Sequence, residues 1–386
     1  MPSGLALSSL DATMPGLWPC FEPERAMLRE APALRPDGDL LARLRRSSLK
    51  ERSKSSVEVL RPRDFHRDVR PTQPPVEAES LFHQHWWLDA VAGSQWQEVT
   101  VADNGTVVGR LPYVETRTFG MRVLGMPPFT KMLGPWIAPR VGKTVTQRQR
   151  TTRIISELIE QLPSHAYFKQ HLPAVWDYAL PFQFAGYGLG IDQTFEIDCR
   201  RDPEELWSEM HNKTRTLIRR TGKTHNIEES VDPVEFFRLY QRNVEREGRA
   251  NYYEQGAFLR LYHACRAHDA CTILGLRDHD GALVAGLFVV WSSDRTSALM
   301  LTRYGSEAGA GAAEMLVWQA ILAANKRQQI LDMDGISSQK DAHRYLHFGG
   351  ELRPRLVISG GSLFIPVLKV LRRSMAWKFG SEKRFV

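Results

Sequence analysis

Tyr304-Gly305-Ser306-Glu307-Ala308-Gly309-Ala310-Gly311-Ala312-Ala313 is a run of glycine and small side chains between two patterned segments. Thr296 to Tyr304 before it has the apolar, β-branched character of a strand. Glu314 to Lys326 after it carries a helical apolar period. A strand, glycine loop and helix in that order let backbone N–H groups converge on an anion, and the helix N-terminus adds about half a positive charge. No Gly-Lys-Ser/Thr follows, so this is not a P-loop, and the dinucleotide-binding spacing is absent. Gly305, Gly309, Ala310, Gly311 and Ala312 are therefore candidate contacts for a phosphate-bearing ligand, with Tyr304 at the loop entrance as a candidate catalytic residue. The other reading is a close-packed turn.

Working outward, Ala270–Leu276, Leu283–Trp291 and Thr296–Tyr304 read as a strand meander turning at Asp278–Gly281 and Ser292–Asp294. Helices at Pro233–Glu247 and Gln255–His268 precede it. A strand at Gln329–Met333, a short helix at Asp341–His347 and a strand at Leu352–Ser359 follow. The first half has a looser version of the same order. It runs from a helix at Ser80–Val91 through strands at Trp96–Ala102, Thr106–Val114 and Thr118–Leu124. The first two are joined by the hairpin turn Asp103-Asn104-Gly105. A helix at Thr144–Leu162 and strands at Ala166–Gln170, Ala185–Leu189 and Gln193–Asp198 complete it. The pattern is α+β and points to a duplicated module. Between the halves, Asp202-Pro203-Glu204-Glu205 opens a helix with a cap, a first-turn proline and a capping-box carboxylate, and Gly222 ends it.

Leu331-Asp332-Met333-Asp334-Gly335 closes an apolar strand, and residues two apart on a strand share a face. Paired carboxylates there would raise one pKa, which suits a general base, so Asp332 and Asp334 are candidate catalytic residues. The bland alternative is a loop cap and a surface acid. Met210 to Lys223 holds five basic residues and no acidic one, with Arg215 and Arg219 one turn apart. An anionic substrate and a dipole-matched helix end both account for it. His343 and His347 lack the H-E-x-x-H form, no G-x-S-x-G elbow is present, and no metal site is expected.

The chain has 386 residues, 42% apolar and 25% charged, with a net charge of +7. The excess is at the ends: ten Lys/Arg against four Asp/Glu in 40–70, and six against one in 366–386. The body between them is slightly negative. Residues 1–78 are rich in proline and without apolar period, and they read as a disordered basic extension. Residues 362–386 read as a basic amphipathic helix, with Leu368, Leu371, Met375 and Phe379 on one side. Four scattered cysteines exclude a disulfide framework, and no C-x-x-C pair is present. The first eleven residues lack a secretory signal and no membrane-spanning run occurs. The expected location is cytoplasmic, with the basic ends suited to an anionic membrane surface.

Phe82–Val91, Leu111–Tyr113, Met126–Thr130, Leu133–Pro135, Met210–Lys223, Asp332–Gly335 and Phe348–Gly350, in this order and spacing, resemble the FemAB-like branch of the GNAT acyltransferase superfamily. The resemblance spans Ser80 to Gly360. It implies two tandem GNAT-like modules, of mixed, mostly antiparallel sheets flanked by helices, at 79–200 and 201–361. It also implies N-acyl transfer from acyl-CoA as co-substrate to an amine, on a small molecule or a cell-envelope or polysaccharide precursor. By position, Asp332 and Asp334 would line the acceptor site, and the Tyr304–Ala313 loop would receive the donor pyrophosphate. Arg344, before the Phe-Gly-Gly turn, would hold an anionic part of a substrate. Arg215, Arg219 and Trp291 complete the expected substrate contacts. Ser306 and Glu307 stand where an arginine of the family pattern would help, which keeps an aminoacyl-tRNA donor open. A third reading is a non-catalytic membrane or nucleic-acid adaptor.

Overall fold

The computed structural model describes residues 80–248, 251, 253–305, 309–333, 336 and 339–361. The expectations for 1–78, for the 362–386 helix and for Asp334 lie outside the described residues.

The first module begins with a 3-10 turn, Leu81–His83, and helix α1, His85–Ala92. Strands β1 (Trp96–Asp103), β2 (Thr106–Thr118) and β3 (Met121–Gly125) form an antiparallel meander, with the short β4 (Trp136–Ile137) on β2. Helix α2 (Thr144–Glu160) crosses to β5 (Tyr167–His171), which is parallel to β3. Helix α3 (Leu180–Phe184) then leads to β6 (Gly188–Asp198). The second module opens with α4 (Pro203–Glu209), α5 (Asn212–Thr224), β7 (Asn226–Glu228), α6 (Pro233–Arg246) and α7 (Gln255–Ala267). It then repeats the plan. The meander is β8 (Cys271–Arg277), β9 (Leu283–Trp291) and β10 (Arg295–Arg303). Crossover helix α8 (Ala312–Lys326) leads to β11 (Ile330–Asp332), parallel to β10, and then to α9 (Gln339–Leu346) and β12 (Glu351–Gly361).

The last strands are exchanged. β12 lies beside β5, β6 lies beside β11, and β6 and β12 pair antiparallel with each other. The two modules therefore share one twelve-stranded sheet, ordered β1-β2-β3-β5-β12-β6-β11-β10-β9-β8-β7 with β4 beside β2.

Local chemistry explains most of the elements. Asn104 and Gly105 both have positive φ, 50° and 78°, which is what a type I′ hairpin turn requires. Asp232 Oδ1 accepts the N–H groups of Val234 and Glu235 and starts α6. Three expectations change. The helix opening at Asp202 is two helices, because Met210 is extended and buried and His211 caps α5, its Nδ1 accepting from Lys213 N. Asp202 caps α4 through Glu204 N. Gly222 does not end α5 but lets it approach α8, since a Cβ there would lie 3.0 Å from Met315 Cε. The strands expected at 185–189 and 193–198 are one strand, β6, continuous along β12.

Helices α2 and α3 cover one face of the sheet in the first module, and α4, α5 and α8 cover the same face in the second. On the opposite face α1, α6 and α7 enclose a core shared by both modules. Phe129, at φ 59°, carries the loop after β3 into that core and stacks on Tyr253 with centroids 4.2 Å apart. A non-glycine residue in this region costs about 1 kcal/mol or more, which burial of the ring offsets. Trp87 is fully buried and donates to Thr130 Oγ1 at 3.0 Å.

His83 anchors the same joint. Its Nε2 donates to the Gly134 carbonyl at 3.0 Å, and its Nδ1 is buried without a partner. Burial, reinforced by the Arg110 charge and opposed by the Gly134 bond, lowers its pKa to about 4. The folded state thus holds the ring neutral while the unfolded chain takes up a proton below about pH 6.5. Stability supplied by His83 is complete above that pH and is lost as pH falls towards 4, by about 3 kcal/mol. Between pH 7 and 4.5 the Tm of the wild type should fall more steeply than that of His83→Gln, measured by calorimetry.

Candidate active site

The parallel pair β10 and β11 is short. Only Arg295–Ser297 and Ile330–Asp332 are in register. A bulge between Ala298 and Met300 then bends β10, while Met333 N still donates to Phe195 O of β6 at 2.9 Å. Among the described residues no pairing joins β10 to β11 beyond Ser297 and Asp332, which leaves an opening with β10 on one side and β6 on the other.

The equivalent gap in the first module is filled by its own chain. Leu133 N donates to His171 O at 2.8 Å, and Gly134 N donates to Gln170 Oε1 at 3.0 Å. Gln170 is fully buried and its Nε2 donates to Pro112 O. A Cβ on Gly134 would collide with Leu172 Cδ2. The two modules share a plan, but among the described residues no such segment fills the gap between β10 and β11.

Asp332 lies at the apex of the open cleft. It is 2% exposed, and Thr194 Oγ1 of β6 donates to its Oδ1 at 2.5 Å. Opposite it in register is Glu196, which accepts from Arg295 Nη1 at 2.5 Å and lies 3.7 Å from Arg353 Nε. Further along the same face of β6, Asp192 Oδ2 is 3.3 Å from both Arg355 Nη2 and His171 Nδ1. Burial works against the Asp192 carboxylate, but the His171 bond, the Gln193 N–H and the Arg355 charge outweigh it and bring its pKa to about 2. The central strands thus present a polar face made of Asp192, Thr194, Glu196, Asp332, Arg355 and His171. Beside it, Leu81, Phe82, Met132 and Pro173 of the first module face Arg295 and Ser297 across a small cavity. None of β5, β6 or β12 was read as part of the site. The available signal was the polar–apolar alternation of Asp192, Thr194, Glu196 and Asp198, repeated by Glu351, Arg353 and Arg355.

The other residues expected at the site are spread more widely. Tyr304 is seven residues beyond the Ser297–Asp332 level, roughly 20 Å along the strand, so it cannot share an acceptor atom with Asp332. Its ring faces Arg242 at 4.2 Å and Arg246 at 5.5 Å, both on α6. Gly305, Gly309 and Gly311 all have positive φ, at 59°, 66° and 117°. Gly311 precedes α8 with no side chain capping the helix, and a Cβ on it would meet Thr221 Oγ1 at 2.5 Å and Leu217 O at 3.0 Å. Ala310 adjoins it, and Ala312 is buried. Among its described residues the loop is closely packed at Gly311, and no side chain caps the start of α8.

Arg344 is committed elsewhere: its Nε donates to Glu314 Oε1 at 3.3 Å and its Nη1 to Asp341 Oδ1 at 2.9 Å. It neutralises an acid in the first turn of α8 rather than presenting a free guanidinium. Arg215 bonds Asn212, and Arg219 lies over the Trp207 ring at 5.2 Å. Both are on α5, away from Asp332. Trp291 is in register with Thr296, on the α8 face of the sheet, with Arg327 3.5 Å over its ring. It belongs to the opposite face from Asp332. His347 stacks on His211 at 4.5 Å, and among the described residues no group of three His, Cys, Asp or Glu is placed to hold a metal. Cys199, Cys265 and Cys271 are buried free thiols.

Residues 197–334 match the acetyltransferase (GNAT) domain family. No curated protein matches the sequence. Among solved structures, FemX is similar with a TM-score of 0.55 at 10% identity, over 77% of this chain and 96% of that one. The C-terminal domain of a putative lysylphosphatidylglycerol synthetase from Agrobacterium fabrum has a TM-score of 0.48 at 10% identity, over 76% and 93% of the two chains. A tandem GNAT protein from the clavulanic acid biosynthesis pathway has 0.43 at 12%, over 69% and 82%. The family match is thus confined to residues 197–334, and the fold of the chain, two modules of like plan sharing one sheet, is similar to that of FemX. Among the described residues no helix is long and apolar enough to cross a membrane.

Proposed function

We propose that the protein is an N-acyltransferase that moves an acyl group from acyl-CoA to an amine in the cleft of the second module. The observation that carries the reading is the parting of β10 and β11 beyond Ser297 and Asp332, with the glycine loop and uncapped α8 about 20 Å further on. That separation suits an extended donor whose phosphates rest on the loop and whose acyl carbon reaches the bulge. The N–H groups at Gly311–Ala313 would receive the phosphates, and Arg242 and Arg246 add positive charge near the loop. The Arg344 pair offsets the Glu314 carboxylate, which would otherwise repel them. At the other end the polar face supplies acids for an ammonium group. Attack by the neutral amine needs no covalent enzyme intermediate.

An aminoacyl group delivered by charged tRNA is the second reading, favoured by the exposed cations Lys213, Arg220 and Lys223 along α5. Incubation of the full chain with acetyl-CoA or longer acyl-CoA and a panel of amines, followed by detection of free thiol, separates the two. Amine-dependent release of CoA supports the first reading. A strict requirement for charged tRNA, weakened steeply by salt, supports the second.

A further inference from the structure

We infer that His171, contributed by the first module, is the base that takes the proton from the acceptor amine, with Asp192 and Arg355 as its positioning residues. The inference rests on the acyl-transfer reading above.

Register places the group. His171 is opposite Val357 on β12, Asp192 is opposite Arg355, Thr194 is opposite Arg353, and Asp332 is opposite Glu196. Directly opposite residues of antiparallel strands share a face, so His171, Asp192, Thr194 and Asp332 all lie on the polar face of the shared sheet. Asp192 and Thr194 are two residues apart, about 7 Å, and Thr194 holds Asp332. The exchange of last strands is what brings a histidine of one module onto the same polar face as Asp332 of the other.

The chemistry fits the position. His171 Nδ1 is 3.3 Å from Asp192 Oδ2, and Arg355, 3% exposed, reaches the same oxygen. A carboxylate at Nδ1 fixes the tautomer with the proton on Nδ1, leaving the Nε2 lone pair for a second partner. Among the described residues the ring has no other hydrogen-bond partner. Backbone bonds from Leu133 N and to Met126 Sδ hold the residue at both sides. The charged groups facing it are Asp192 on β6, Arg355 and Arg353 on β12, and Lys169 on its own strand; Asp332 and Glu196 stand further along. Asp332 itself is sealed against Thr194, which suits it to attract an ammonium more than to accept its proton.

The step balances as follows. The acceptor enters as an ammonium ion and gives one proton to Nε2. The freed lone pair forms the C–N bond to the acyl carbon, and the C–S bond breaks with its electron pair on sulfur. The amine's second proton passes to that thiolate, giving amide and thiol, and the imidazolium returns its proton to water.

Two measurements on the full chain test this. Ring-¹⁵N histidine spectra, assigned with His171→Gln, should show the neutral Nδ1–H tautomer at His171, and Asp192→Asn should redistribute it. A dominant Nε2–H tautomer in the wild type overturns the inference without any turnover being needed. In the CoA-release assay with acetyl-CoA, His171→Gln should lose about 100-fold with an alkyl amine of the panel. With hydroxylamine, which is already neutral, the loss should be under about 3-fold by the same argument. Equal losses with both acceptors overturn the role of base while the acyl-transfer reading stands. Absence of turnover in the wild type with every amine overturns that reading instead.

Discussion

Gly311→Ala is expected to cost roughly 3 kcal/mol of stability and to weaken donor binding at least tenfold. Gly311 is at φ 117°, a conformation that an alanine adopts only under strain, and its Cβ would stand 2.5 Å from Thr221 Oγ1 and 3.0 Å from Leu217 O. The carbonyl belongs to the backbone of α5 and cannot swing aside, so the start of α8 must move away from α5. That movement disturbs the N–H groups assigned to the donor phosphates. Gly281→Ala is the control. It also has positive φ, 79°, but nothing within 4 Å of the new methyl. It should cost about 1 kcal/mol and leave donor binding unchanged. Chemical denaturation and titration with acetyl-CoA compare the two variants, and equal effects would mean that the loop is only a turn.

Asp332→Asn is expected to lower kcat/KM for the acceptor by about 10- to 100-fold, chiefly through KM, while donor affinity changes little. An asparagine oxygen still accepts the Thr194 hydroxyl, so the local packing is kept. What is lost is the negative charge at the cleft apex, and a hydrogen bond to a charged group contributes about 1.5–3 kcal/mol. The predicted selectivity for acceptor over donor separates this role from general damage to the fold. A matching fall in acetyl-CoA affinity would count against it.

Much of the fold is legible in local pattern. Asp103-Asn104-Gly105, the strand Leu283–Trp291 and the crossover helix with its glycine loop announce themselves through turn chemistry and periodicity. The exchange of β6 and β12 does not, because pairing between residues far apart in sequence leaves no local mark. His211 illustrates a smaller case: its cap and its bond to the His347 carbonyl divide a helix that composition alone would continue.

The candidate site was legible where it is local and hidden where it is shared. Asp332 and the 304–313 loop stand out because chemistry-bearing residues end a strand or punctuate one. Trp291 was misplaced because sequence distance does not tell which face of the sheet a strand-end residue joins, and here it joins the α8 face. Arg344, which the family resemblance assigns to an anionic part of a substrate, meets Glu314 and Asp341 only when α9 folds beside α8. His171, Asp192 and Arg355 lie on three strands, and only the shared sheet brings them together.

Calorimetric titration of the full chain with acetyl-CoA decides whether the second module binds the donor. The donor is expected in the second module alone, since the first module's gap is closed by Leu133 and Gly134. One molecule should bind per chain, with affinity reduced by Gly311→Ala and retained by Gly281→Ala. Binding of two molecules per chain, or none at millimolar donor, would contradict it.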